Sequence, residues 1–288
     1  MRSANNFART IAATVLCLAL FASASFAKNN PLNIPRGMAV DSQGNLWVAN
    51  AGTNSILAFS PTYKQLTSDT ITAGVSEPTD VAFDSLGNLW VCNYDISAVT
   101  EYTGGVQNTS ATLTGVPLPT AIAVDGLNNV WVANSVTGNG FMEVYSPNQV
   151  YGPSDHLQMA FGPYPSIFYG LTVSGGALAW GNGSSLTLVP ATVALTTGAL
   201  DGVGVGGNNT ATYLASAANG TIYFATTDNA INFAQPADLG SASPLIELSF
   251  APTGIAVDSV RGRIYISNGY GNSISVYSTG GTLLKTIE

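Results

Sequence analysis

Histidine occurs once in these 288 residues, as His156, and cysteine twice, as Cys17 and Cys92. A single imidazole excludes a metal centre built on several histidines and leaves little for general acid–base chemistry. Cys17 lies in a leader described below, so Cys92 stands alone and no intramolecular disulfide forms. It replaces the Ala49 and Ala133 of sister segments, which points to a strand residue rather than a reactive thiol. Charge is equally scarce: Lys and Arg number 8, Asp and Glu 16, together 8% of the chain. With so few basic groups nothing offsets phosphate repulsion, which excludes nucleic acid and anionic membranes as partners. Beyond the leader no apolar run reaches 18 residues and no helical periodicity appears, which excludes a spanning helix and a helical fold. The apolar share of 46% is that of an ordinary globular core, so disorder is excluded too.

What is present begins with a leader. MRSANNFART carries Arg2 and Arg9, IAATVLCLALFA is a 12-residue apolar run, and Ser25–Phe26–Ala27 precedes Lys28 as an A-x-A-like cleavage site. Residues 1–27 read as a secretory signal peptide, too short in its apolar part to span a bilayer. Leu16 before Cys17 argues against a lipid anchor. Export to the periplasm or the exterior leaves residues 28–288 as a single domain with 6 basic and 16 acidic groups, a net charge of −10.

That domain repeats itself. DSQGNLWVAN (41–50) returns as DSLGNLWVCN (84–93) and DGLNNVWVAN (125–134). Taking the residue that opens the repeated strand as a marker gives Leu46, Leu89, Val130, Leu178, Ile222 and Ile264, at spacings of 43, 41, 48, 44 and 42. Four residues on stand Asn50, Asn93, Asn134, Asn182, Thr226 and Asn268. The fourth (GGALAWGN) and fifth (NGTIYFATT) copies are degenerate. Each copy reads as four short strands separated by turn residues, clearest in the sixth: TGIAV, RIYIS, SISVY, TLLKTI. Leu46 and Trp47 are both large and apolar although they point to opposite faces, as expected of a sheet packed on both sides. A period near 42 with four antiparallel strands per repeat predicts an all-β fold, a six-bladed β-propeller. Trp47, Trp90 and Trp131 are expected between blades. TLLKTIE supplies the last outer strand, so no N-terminal strand is needed to complete the sixth blade, though PLNI (31–34) is free to add one at an edge. Residues 28–33 are therefore expected to be dispensable.

The stretch Pro-x-Gly-x-Ala-Val-Asp-x-x-Gly-Asn-Leu-Trp-Val-Ala-Asn at 35–50, with PTDVAFDSLGNLWVCN, PTAIAVDGLNNVWVAN and PTGIAVDSVRGRIYISN, resembles the NHL repeat. The motif encodes turns and packing, and so speaks for fold far more than for function. More distantly the chain is similar to gluconolactonase-like and streptogramin lyase-like propellers. The first resemblance implies a divalent ion held in the channel by Glu, Asn and Asp; the second implies histidine beside a metal. His156 follows Tyr145 by 11 residues, in an outer fourth strand, and is expected on the rim, where it cannot serve as that histidine. A carboxylate–amide site for Ca²⁺, built on Asp80 with Asn93 and Asn134, is the only cofactor these residues suggest, and none is expected in the principal reading.

The loops leading into first strands and those joining second to third strands share one face, the top face. It collects Arg36, Asn50, Glu77, Asp80, Asn93, Tyr94, Asp95, Asn134, Asn182, Asp228, Asn268 and Tyr270. The recurring asparagines either offer amide groups to a sugar or peptide or cap their own turns; their regularity favours capping. Arg36, Asp80, Tyr94 and Asp95 break the symmetry, as a binding site does, while Arg36 and Asp80 could also simply pair with each other. The sequence thus points to a monomeric binding or scaffold module for a protein, peptide or glycan, with a metal-assisted lactonase or lyase as the alternative.

Overall fold

The structure, a computed structural model, describes residues 30–136, 140–146, 157–160, 169–190, 203–204 and 211–288. His156 lies outside them. The unit Leu32–Ile287 is all-β, and among the described residues its strands form six sheets. Sheet 1 holds β1 (Pro35–Val40), β2 (Leu46–Asn50) and β3 (Ser55–Phe59). Sheet 2 holds β4 (Pro78–Phe83), β5 (Leu89–Asn93), β6 (Ala98–Thr103) and β7 (Val106–Thr114). Sheet 3 holds β8 (Pro119–Val124), β9 (Val130–Asn134), β10 (Phe141–Tyr145) and β11 (Leu157–Ala160). Sheet 4 holds β12 (Gly170–Ser174), β13 (Ala177–Gly181), β14 (Leu186–Pro190) and β15 (Val203–Gly204). Sheet 5 holds β16 (Ala211–Ser216), β17 (Ile222–Thr226), β18 (Ala230–Gln235) and β19 (Asp238–Glu247). Sheet 6 holds β20 (Gly254–Asp258), β21 (Arg263–Asn268), β22 (Ser273–Ser278) and β23 (Leu283–Ile287). Consecutive strands pair antiparallel throughout. All six markers lie in second strands.

The repeated ten residues are held by one device. Asp41 Oδ1 accepts from the backbone N–H of Gln43 (2.9 Å) and of Asn45 (2.8 Å). Its Oδ2 accepts from the Asn45 amide (2.8 Å) and the Trp47 indole N–H (2.9 Å). Asp84 takes the same four bonds from Leu86, Asn88 and Trp90, and Asp125 from Leu127, Asn129 and Trp131. One carboxylate therefore closes the turn and fixes the tryptophan on the strand beyond it; such charge-assisted bonds are the stronger kind. In sheet 6 Asp258 accepts from Val260 and Arg261 instead.

Six core clusters each join two successive sheets. Trp131 and Trp180, for example, pack with Leu171 and Leu178 between sheets 3 and 4, Trp47 packs on sheet 2, and Trp90 on sheet 3. The tryptophans do lie between sheets, but unequally: Trp131 is 0% exposed, Trp90 9%, and Trp47 is half-buried. Another cluster joins sheet 6 to sheet 1, packing Ala256, Tyr265 and Ile287 against Met38, Leu46 and Leu32. First strands neighbour one another: β1 against β4, β4 against β8, β8 against β12, β12 against β16, β16 against β20, and β20 against β1. At the last of these seams Thr253 Oγ1 donates to the Pro35 carbonyl (2.7 Å), Ser267 Oγ to that of Arg36 (2.9 Å), Arg261 to that of Gln43 (3.0 Å) and Arg263 to that of Pro61 (2.7 Å).

Two expectations need correction. The first copy has three strands, not four: residues 60–71 pair with β3 only through the isolated bridges Phe59↔Gln65 and Ile56↔Ile71. The reason is local, because Tyr63 adopts a φ of 65° and Thr67–Asp69 form a 3-10 turn, which break the ladder. PLNI adds no strand; β1 begins at Pro35. Its Leu32 is nevertheless buried, and the Asn33 N–H bonds to Asn50 Oδ1 (2.7 Å), so residues 28–33 include two that sheet 1 needs.

Candidate functional site

The six first strands line up at equivalent positions, because each pairs with its second strand in the same register. At one level they present Gly37, Asp80, Ala121, Gly170, Tyr213 and Gly254. Small residues prevail there because neighbouring strands approach closely. A Cβ on Gly170 would stand 2.7 Å from the Tyr213 Cα, one on Gly254 2.4 Å from the Arg36 carbonyl oxygen, and one on Gly37 2.0 Å from Asp80 Oδ1. Only Asp80 and Tyr213 carry sizeable side chains at this level, in sheets 2 and 5.

Above it opens a mouth of about 350 Å³ to which every sheet contributes. Sheet 1 gives Arg36; sheet 2 gives Glu77, Thr79 and Tyr94; sheet 3 gives Thr120 and Ser135; Tyr169, Tyr213 and Thr253 come from sheets 4, 5 and 6. Arg36 Nη2 and Glu77 Oε1 form an ion pair at 2.8 Å, each side chain about a third exposed (31% and 32%). Glu77 is fixed by its backbone: it has a φ of 41°, its N–H donates to Asn54 Oδ1 (2.8 Å), and its carbonyl accepts from Tyr94 (3.2 Å). The Tyr169 and Tyr213 rings meet edge to face, centroids 6.2 Å apart. Burial pushes the Tyr213 phenol up to about 12, against the opposing pull of the Arg36 guanidinium, with Tyr169, Asp80 and Tyr270 adding to the rise.

Below the same level runs a channel of about 270 Å³ lined by residues of all six first strands, from Met38–Val40 to Ile255–Val257. Among the described residues Asp80 is its only charged lining group. The Asp80 carboxylate accepts from its neighbour Val81 (2.9 Å) and, across to sheet 3, from the Ile122 N–H (3.1 Å). Desolvation nonetheless raises it to about 7, the two backbone bonds only partly offsetting the rise. Asp80 keeps some accessible surface, but that surface faces the channel rather than bulk water, so desolvation governs. Cys92, its cross-strand partner, is wholly buried, and burial first, Asp80 second, holds its thiol well above the usual range. It is an inert core thiol.

Of the residues singled out in the sequence, Arg36 and Tyr94 thus meet in the mouth and Asp80 lies beneath them. Arg36 pairs with Glu77, not with Asp80. Asp95 is exposed and away from the mouth lining. Asn268 caps its own turn, accepting from Gly271 (2.9 Å), as Asn182 does from Ser184 and Ser185. Asn50, Asn93 and Asn134 are each 0% exposed, which leaves no surface for a ligand. Asn50 and Asn93 accept from Asn33 and Ser76, each 17 residues back. Seventeen residues before Asn134 stands Pro117, which has no N–H, and both polar atoms of the Asn134 side chain lack a partner. Asn93 spends its amide on Thr100 (2.9 Å). The carboxylate–amide cation site expected from Asp80, Asn93 and Asn134 is therefore not assembled, and among the described residues no three His, Cys, Asp or Glu side chains converge as metal ligands. Tyr169 and Tyr213 were not foreseen; they belong to the degenerate copies, and Tyr213 becomes visible only when ATYLAS is aligned on the Gly37 position.

Among the described residues no helix is long and apolar enough to cross a membrane. The family described as the SMP-30/Gluconolactonase/LRE-like region matches residues 19–92, a minority of the chain. No curated protein sequence matches. Among solved structures, a streptogramin B lyase is similar at 14% identity and a TM-score of 0.65 over 90% of this chain and 84% of its own. A virginiamycin B lyase from Staphylococcus aureus is similar at 12% and 0.61 over 88% and 83%, and a catalytically inactive variant of that lyase, with quinupristin, at 12% and 0.63 over 89% and 85%. Likeness at such identities speaks for architecture alone, and the architecture it establishes is the β-propeller.

Proposed function

We propose that this chain is an exported six-bladed propeller of NHL-like repeats that binds a polar ligand, the end of a peptide or glycan, in the mouth on its top face. Closure into six blades is supported by the cyclic succession of first strands and by the core cluster between sheets 6 and 1. Export is supported by the sequence of residues 1–27. The observation that carries the binding reading is the mouth: a concave site within the usual range for small-ligand pockets, where the otherwise regular repeats converge on three tyrosines and an ion pair. Tyrosine offers a flat apolar ring with a polar tip, and the Arg36–Glu77 pair offers both donors and acceptors to a polar ligand. The test is capture from peptide and oligosaccharide panels by wild type and by Arg36→Ala/Tyr94→Ala. Capture lost with the melting temperature moved by less than about 3 °C supports the reading, because such half-exposed groups add little to stability. Unchanged capture moves the site elsewhere.

A lactonase or lyase is the second reading, favoured by the partial family match and by lyases among the structural neighbours. Among the described residues the donor set does not fit a resident divalent ion. Turnover of lactones or of cyclic depsipeptides that depends on added Ca²⁺ or Mg²⁺, with a matching rise in melting temperature, would establish it over the binding reading.

A further inference from the structure

At the junction between the two cavities stand Asp80, which lines the channel, and Tyr213, which lines the mouth, the two near enough to interact electrostatically. Asp80 is a carboxylate at the head of an otherwise uncharged channel, and among the described residues no cation pairs with it. Both of its hydrogen bonds come from backbone N–H groups, which leaves lone pairs of the carboxylate for a further donor. Above it the mouth supplies the Tyr94, Tyr169 and Tyr213 rings, while the positive charge of Arg36 is already taken by Glu77. A desolvated carboxylate under aromatic rings is how proteins hold an organic cation, the rings through their electron-rich faces and the carboxylate through charge-assisted bonds. An inorganic divalent ion needs six or more oxygens, which this junction lacks; a carboxylate or phosphate ligand would meet Asp80 as a like charge. The acidic balance of the chain, formal net charge −8, draws cations towards it.

We infer that the mouth takes a primary ammonium on a slender aliphatic stem, an alkyl amine or lysine-like chain end, whose –NH₃⁺ reaches Asp80 while its stem lies among Tyr94, Tyr169 and Tyr213. This rests on the mouth being the binding site and adds the class of ligand. The other titratable or charged groups facing Asp80 are few: Arg36 from β1 and Glu77 before β4 pair with each other, burial holds the Cys92 thiol on β5 well above its usual range, and the Tyr213 phenol, with the Tyr169 ring against it, is pushed up to about 12. The first-strand residues β8, β12 and β20 present to the channel carry no titratable side chain. Among these groups the carboxylate raised to about 7 is that of Asp80.

The experiment is calorimetric titration of the purified chain with pentylamine and cadaverine, with pentanol and pentanoate as neutral and anionic isosteres, between pH 6 and pH 8. Alkyl ammonium groups stay charged across that window, so affinity should follow Asp80 and tighten about tenfold from pH 6 to pH 8. Pentanol and pentanoate should bind at least about tenfold more weakly at pH 8, since each loses the charged contact. Asp80→Asn, which keeps the shape, should remove both the preference for ammonium and the pH dependence; if that variant fails to fold, the wild-type pH profile decides. Equal binding of pentanol and pentylamine, or a flat profile, overturns the inference. Should an oligosaccharide or a peptide lacking lysine shift the Tyr94, Tyr169 and Tyr213 resonances while no amine does, the amine inference falls and the mouth stands. If no compound of either panel perturbs those tyrosines, both fall.

Discussion

Asn134 and Asn93 occupy the same place in neighbouring repeats and differ through one residue far from either. Ser76 offers Asn93 an N–H that Pro117 cannot offer Asn134, so Asn134 is buried with its amide unspent. Pro117→Ser should restore the bond, contributing about 1–3 kcal/mol against about 0.4–1 kcal/mol of added chain freedom in the unfolded state. A higher melting temperature is expected, and Asn134→Ala should cost less stability than Asn93→Ala; a melting temperature lowered by Pro117→Ser would contradict this account. Asp80 gives a second residue-scale expectation. Its folded pKa of about 7 lies above the ordinary 3.8, so between those values the folded chain binds more protons than the unfolded one. Stability should therefore fall as pH rises from about 4 to about 7, the reverse of a salt-bridged carboxylate. Asp80→Asn should flatten this slope in urea melts recorded along the pH series. A slope that Asp80→Asn leaves unchanged would show Asp80 to be ionised well below 7.

The second strands join a turn to a packed tryptophan through one aspartate, and the elements differ in how deeply that tryptophan is set. Trp131→Ala should cost about 3–5 kcal/mol, the usual range for emptying a full aromatic site, with Trp90→Ala somewhat less and Trp47→Ala least, in denaturant melts. A soluble quencher should reach Trp47 before the other two; equal quenching of all three would contradict the unequal burial. This much of the fold was legible, because Asp, Gly or Asn, and Trp at fixed offsets encode turn and packing within a single repeat. The missing fourth strand of sheet 1 was not, because 60–71 has the polar, turn-prone composition of any loop or outer strand, and only the backbone at Tyr63 separates the two. Leu32 was illegible for a related reason: a lone leucine after a proline carries no period, yet it fills the core between sheets 6 and 1. Deleting residues 28–33 should accordingly destabilise the chain by about 2–4 kcal/mol, the cost of a buried leucine together with the bond to Asn50; an unchanged urea midpoint would contradict it.

For the molecule as a whole, Arg36, Tyr94 and Asp80 could be placed near one site from sequence because they interrupt well-kept repeats. Tyr169 and Tyr213 could not, since the fourth and fifth repeats keep the strands and lose the letters, and an irregular residue is invisible where everything is irregular. The asparagines misled in the opposite sense: regularity made them conspicuous, and burial made them structural. The bonds from Thr253, Ser267, Arg261 and Arg263 to sheet 1 join residues 202 to 231 positions apart, whereas the aspartate clasps span at most six. A clasp can form as soon as its own repeat exists. The seam between sheets 6 and 1 must wait for the sixth repeat and bear the entropy of closing a loop of more than 200 residues. In time rather than in space, then, these few bonds are expected to form last, and a chain stopped short of Thr253 would carry several finished sheets with nowhere to end.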